Sequence, residues 1–122
     1  MKQLFFIAIS LLLISSCEYN NLEVMYPIEE ICDTTDISYS NSIQALLTAN
    51  CGTTTTCHQA SGSLSEIPLV TYDDVLNVVA TGQFLSSVTH DGNTALMPKG
   101  GSKLNDCSIN TIKAWINQGT KE

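Results

Sequence analysis

Cys51-Gly52-Thr53-Thr54-Thr55-Thr56-Cys57-His58 separates two thiols by five residues and sets an imidazole directly after the second. Glycine and threonine are poor helix formers, so this stretch reads as a looped interruption between helices. Upstream, Ser40 to Asn50 carries Ile43, Leu46 and Leu47 at helical spacing, with Ser40 or Asn41 as N-cap, and delivers the chain to Cys51. Downstream, Thr71 and Asp74 are placed like a capping box for a helix over Thr71 to Ala80, whose apolar residues are Val75, Leu76, Val78 and Val79. Gly82 ends that helix. A short helical turn follows from Gln83 to Val88, then a turn at His90-Asp91-Gly92-Asn93. The last helix is the clearest: Asn105 or Asp106 caps it, Ile109, Ile112, Trp115 and Ile116 line one face, and Gly119 stops it. Trp115 on that stripe reads as core packing rather than as a redox relay. No alternating strand pattern of useful length occurs, so the fold class is all-α.

The beginning of the chain sets the compartment. A single Lys2 precedes an apolar run from Leu4 to Ile14, too short for a permanent membrane helix and suited to a secretory signal peptide. Ile14-Ser15-Ser16-Cys17 resembles the lipobox of bacterial lipoproteins. That resemblance implies cleavage before Cys17 and lipid on Cys17, hence a protein of the cell envelope, anchored by lipid and extracytoplasmic, on the periplasmic or the outer surface. Three regions follow: residues 1–16 as lipoprotein signal peptide, 17–31 as an acidic tether, and 32–122 as the folded domain. Removing 16 of the 122 residues leaves 106, enough for one small domain with a marginal core. Loss of Lys2 takes the formal charge from −7 to −8, with four lysines and no arginine remaining. Such a surface excludes nucleic acid as a partner class and favours encounter with proteins carrying lysine-rich patches.

Four cysteines then remain for an oxidising compartment: Cys32, Cys51, Cys57 and Cys107. Two thiols followed by a histidine are the parts that attach a haem covalently, although the usual attachment site has two residues between its cysteines. Met97, in Leu96-Met97-Pro98-Lys99-Gly100-Gly101, supplies a soft neutral donor for the other face of the iron. Pro98 fixes the backbone beside it, and the glycines let the chain pass close to a flat ligand. His90 is the competing sixth ligand, but its place beside Asp91-Gly92 reads as an exposed turn.

From about Asp36 to Gly119 the chain resembles the small single-domain c-type cytochromes, whose order is helix, cysteine-cysteine-histidine site, middle helices, methionine-proline loop and C-terminal helix. The resemblance implies a helical domain packed around one haem c, with the first and last helices in contact, so that Leu46 and Leu47 meet Ile112 and Ile116. It also implies thioethers at Cys51 and Cys57, with His58 and Met97 as the axial iron ligands. The implied function is one-electron transfer to redox protein partners, not catalysis. Cys32 and Cys107 are the leftover pair, and packing of those helices would make a Cys32–Cys107 disulfide reasonable; the alternative is two free thiols.

The lengthened spacing leaves three outcomes open. Cysteines three apart on a helix lie about 60° apart around its axis and six apart about 120°, so a regular helix would aim Cys51 away from the haem edge. The outcomes are two thioethers with a bulged loop, one thioether from Cys57 alone, or no haem with Cys51 and Cys57 joined as a disulfide across a small loop. The last case defines the competing class, a disulfide-stabilised structural or binding lipoprotein without haem. A catalytic haem protein would want distal acid-base groups and preferably an arginine, which the chain lacks. Zinc suits the cysteines poorly, since adjacent Cys57 and His58 point differently and the thiols would have to escape oxidation.

Overall fold

The computed structural model describes residues 32–53, 56–61 and 64–122. The signal peptide, Cys17 and the acidic tether lie outside the described residues. No strand occurs among the described residues, and none of their helices is long and apolar enough to cross a membrane. The all-α expectation is met by a π-helical turn, Tyr39–Ile43, continuing into α1, Gln44–Asn50, and by α2, Tyr72–Ala80, α3, Gln83–Thr89, and α4, Asp106–Asn117.

The first helix starts earlier than its spacing predicts. Ser38, not Ser40 or Asn41, is the N-cap: its hydroxyl accepts from the Asn41 N–H while the Asn41 side chain accepts from the Ser38 N–H. The turn that follows is one residue wider than an α-turn, with the Ile43 N–H donating to the Ser38 carbonyl. Tyr39, Ile43 and Leu47 all end up buried.

The other helix ends follow their local signals. Thr71 and Asp74 form the capping box of α2. Gly82, at φ +77°, supplies the left-handed residue that separates α2 from α3. Asn105 caps α4 by accepting from the Ser108 N–H at 2.8 Å. The core gathers Ile43, Leu47, Val75, Ile112 and Trp115, each almost wholly shielded from solvent, with Phe84 and Val88 from α3.

The two ends of the described chain meet. The Tyr39–Ile43 turn packs on α4; Leu47 and Ile112 share the core, with Leu46 and Ile116 partly buried against it. Residues after α4 fold back as a strap. The Lys121 carbonyl accepts from the Tyr39 N–H at 2.8 Å and from the Trp115 indole N–H at 2.8 Å, and the Thr120 carbonyl accepts from the Tyr72 hydroxyl at 2.6 Å. Tyr39, Tyr72 and Trp115 pack together, Tyr72 edge-on to both others. Cys32 and Cys107 are joined in a disulfide, with Cα atoms 5.4 Å apart.

Candidate functional site

Cys51 closes α1. Its N–H still donates to the Leu47 carbonyl, but its φ of −112° is no longer helical. The regular helix that would have turned Cys51 and Cys57 apart therefore ends before the first of them. The next residue, Gly52, lies at φ +61°, and its carbonyl accepts from both the Thr56 N–H, 3.3 Å, and the His58 N–H, 3.2 Å. Thr56, the last of the threonine run, and His58 are thus tied to the carbonyl that precedes the run, which brings Cys57 back beside the end of α1. A Cβ on Gly52 would stand 3.0 Å from the Cys57 nitrogen and 3.3 Å from its Cβ, so this close approach depends on glycine.

Past Cys57 the chain doubles back on itself. The Ser65 N–H donates to the Cys57 carbonyl at 3.1 Å and the Leu69 N–H to the His58 carbonyl at 3.0 Å. This fold brings the Ile67 carbonyl to 2.6 Å from His58 Nδ1. A carbonyl can only accept, so Nδ1 carries the proton and, in the neutral ring, Nε2 keeps its lone pair. A histidine prepared to coordinate a metal through Nε2 has this arrangement, with the other nitrogen fixed by a carbonyl.

Met97 lines the same cavity as His58. Its N–H donates to the Ser87 carbonyl near the end of α3 at 3.1 Å, and its carbonyl accepts from His90 Nε2 at 2.8 Å. A cavity of about 800 Å³ is lined by Cys51, Cys57, His58 and Met97 together, and a smaller one of about 130 Å³ shares Cys51, His58, Val88 and Met97 with it. The larger volume falls within the range of roughly 300–1,000 Å³ found for sites that take cofactor-sized ligands. Leu69, Phe84 and Val88 line the smaller cavity, and the wall of the larger one mixes apolar Leu64, Val88 and Leu104 with polar Thr48, Asn50 and Lys99.

Cys51 and Cys57 are both free thiols, Cys57 exposed and Cys51 half-buried. Burial, and then the neighbouring Cys57, push the Cys51 thiol up from 9.0 to about 11, so it stays protonated at neutral pH. Among the described residues no group of three or more His, Cys, Asp and Glu side chains could hold a bare metal ion. One imidazole, one thioether sulfur and two thiols are a different donor set, suited to an iron that a porphyrin already carries. By that criterion the residues present fit a haem.

All four residues singled out from the sequence as haem contacts therefore line one cavity. His90 lines neither cavity, and it is half-buried and bonded to Met97 rather than standing free in an exposed turn. Sequence reasoning missed the Ile67 carbonyl behind His58 and the double acceptor role of Gly52. Neither has a side-chain signature; only the left-handed preference of glycine hinted at the second. No protein-family model, no curated protein and no solved structure matches the chain.

Proposed function

We propose that the chain is a one-electron carrier or docking module of the small c-type cytochrome kind, tethered by lipid on Cys17 to a membrane of the cell envelope. The observation that carries the reading is the cavity of about 800 Å³ shared by Cys51, Cys57, His58 and Met97, with His58 Nδ1 committed to the Ile67 carbonyl. His58 Nε2 and the Met97 sulfur would hold the iron of one haem c, and the Cys51 and Cys57 sulfurs would bond its edge. A haem held in this way supplies a ferrous–ferric couple, with methionine ligation raising its potential.

The chain's own residues do the rest. Gly52 lets Cys57 pass close to the end of α1, the Ile67 carbonyl orients His58, and Phe84, Val88 and Leu69 give the adjoining smaller cavity an apolar wall. No substrate chemistry is assigned: the role is transfer between redox proteins, with the formal charge of −8 left after loss of Lys2 favouring a partner that carries a lysine-rich docking patch.

The test is the full chain expressed with a haem-attachment system, read by haem stain on a denaturing gel and by visible spectrum. The expected result is covalent haem with a methionine-sulfur charge-transfer band that Met97→Ala abolishes. A colourless protein containing Cys51–Cys57 and Cys32–Cys107 disulfides would overturn the reading and leave a structural lipoprotein.

A further inference from the structure

His58 lines the cavity and His90 bonds the backbone of Met97, another lining residue, and the hydrogen bonds of the two histidines commit opposite nitrogens. The Nδ1–H of His58 donates to Ile67, whereas the Nε2 of His90 lies 2.8 Å from the Met97 carbonyl, which can only accept. His90 therefore carries its proton on Nε2, the nitrogen nearest the methionine loop, and uses it on that loop's backbone.

The backbone at His90 carries a cost. It is the C-cap of α3 at φ 58° and ψ 41°, a left-handed conformation that favours glycine and is costly for a side chain with a Cβ. Glycine would end α3 there without strain. Histidine in that conformation gives an imidazole that reaches seven residues along the chain to Met97. With the Ser87 carbonyl accepting from the Met97 N–H, both polar groups of the Met97 backbone are held by the end of α3. Met97 and Leu96 otherwise sit in an irregular segment, with Leu96 exposed.

We propose that His90 is a positioning residue for Met97: its imidazole pins the methionine carbonyl to the end of α3 and so holds the thioether at the iron. The inference rests on the haem reading above. It assigns His90 to the backbone of the ligand loop and removes it as a competing sixth ligand.

His90→Gly separates positioning from folding, because it removes the donor and also relieves the left-handed strain. In the full chain matured with haem, His90→Gly is expected to keep the helical circular dichroism and the thermal midpoint. It should weaken the methionine-sulfur band and bind added imidazole at the ferric iron about tenfold more tightly, the worth of one hydrogen bond. His90→Gln, which restores an N–H donor, should recover part of the band. An unchanged band and unchanged imidazole affinity in His90→Gly would overturn the proposal, as would wild-type protein whose sixth ligand is nitrogen. A second measurement needs no haem: amide hydrogen exchange at Met97 should be about tenfold faster in His90→Gly than in the wild-type chain. Equal exchange overturns the clamp itself. Failure of the wild type to attach haem, with exchange altered as expected, instead sinks the electron-transfer reading.

Discussion

The strapped end of the molecule and the cavity end solve the problem of a small core in opposite ways. At the strapped end Tyr39, Tyr72 and Trp115 pack ring against ring, and the Lys121 and Thr120 carbonyls take up their backbone and side-chain donors. Ile43, Ile112 and Trp115 are wholly buried there. At the cavity end the side chains are smaller or sulfur-bearing, several are only half-buried, and the backbone groups of Gly52, His58 and Met97 fix directions around a cavity instead of filling it. The contrast teaches how the chain divides its packing: the first end is complete in its own side chains, and the second leaves a cavity between them.

The largest expected effect tests that division directly. Trp115→Ala removes a fully buried indole and leaves the Lys121 carbonyl short of a donor. It should cost about 5 kcal/mol, the upper end for such truncations. Met97→Ala, at a half-buried position on the cavity wall, should cost only about 1 kcal/mol in the chain without haem. Urea unfolding of both variants measures the difference, and equal losses would erase the distinction between the two ends.

Cys32–Cys107 comes next. The bridge spans 75 residues and ties the start of the described chain to the first turn of α4. Its reduction should cost about 4 kcal/mol in the chain-entropy account. Because the strapped end also joins the chain's two ends through hydrogen bonds, Ser substitution of both cysteines should leave the helical content intact at low temperature while lowering the denaturation midpoint. Loss of helix in that variant would mean that the strap has little strength of its own.

The two ends also differ in how far they can be read from sequence. At α4 and α2 every signal was local: Asn105, the Thr71 and Asp74 box, and the apolar face of Ile109, Ile112 and Trp115 sit where their spacing put them. The start at Ser38 was misplaced because Ser38, Ser40 and Asn41 are all competent caps, and the choice among them depends on burying Tyr39 against partners far along the chain. The strap was illegible, since it is built on the carbonyls of Thr120 and Lys121, which any residue would provide. At the cavity the four site residues were legible from residue type and order. Their supports, the Ile67 carbonyl, the Gly52 carbonyl and the His90 ring on Met97, are backbone contacts that spacing does not encode.

Gly52 offers a third, smaller test, confined to the cavity end. A Cβ there would crowd Cys57 at a positive φ, whereas one on Gly100, also at positive φ, would meet open space. Gly52→Ala should therefore cost about 2 kcal/mol and Gly100→Ala about 1 kcal/mol, the second figure reflecting backbone conformation alone. The same Gly52 variant should lower the yield of doubly attached haem by displacing Cys57. Cutting the threonine run from four residues to one, which turns the site into Cys-Gly-Thr-Cys-His, should leave that yield equal or higher. Equal costs at the two glycines would mean that the close approach of Gly52 to Cys57 does not matter.

The smallest effect concerns the Cys51 thiol and separates the chain with and without haem. Burial raises this thiol from 9.0 to about 11 in the folded chain, so the native state holds its proton where the unfolded chain has released it. The associated stability is complete below pH 9 and is lost as pH rises toward 11. For a sealed thiol the difference would approach about 3 kcal/mol, but Cys51 is only half-buried, and solvent screening reduces the expectation to about 1 kcal/mol. In a Cys57→Ser background, urea unfolding of the haem-free chain at pH 8 and pH 10.5 should reveal this loss, and Cys51→Ala should remove it. A thioether has no proton to lose, so the haem-bearing chain should show no such loss from Cys51. Persistence of that Cys51-dependent loss after haem attachment would mean that Cys51 remains a thiol and that Cys57 alone holds the haem.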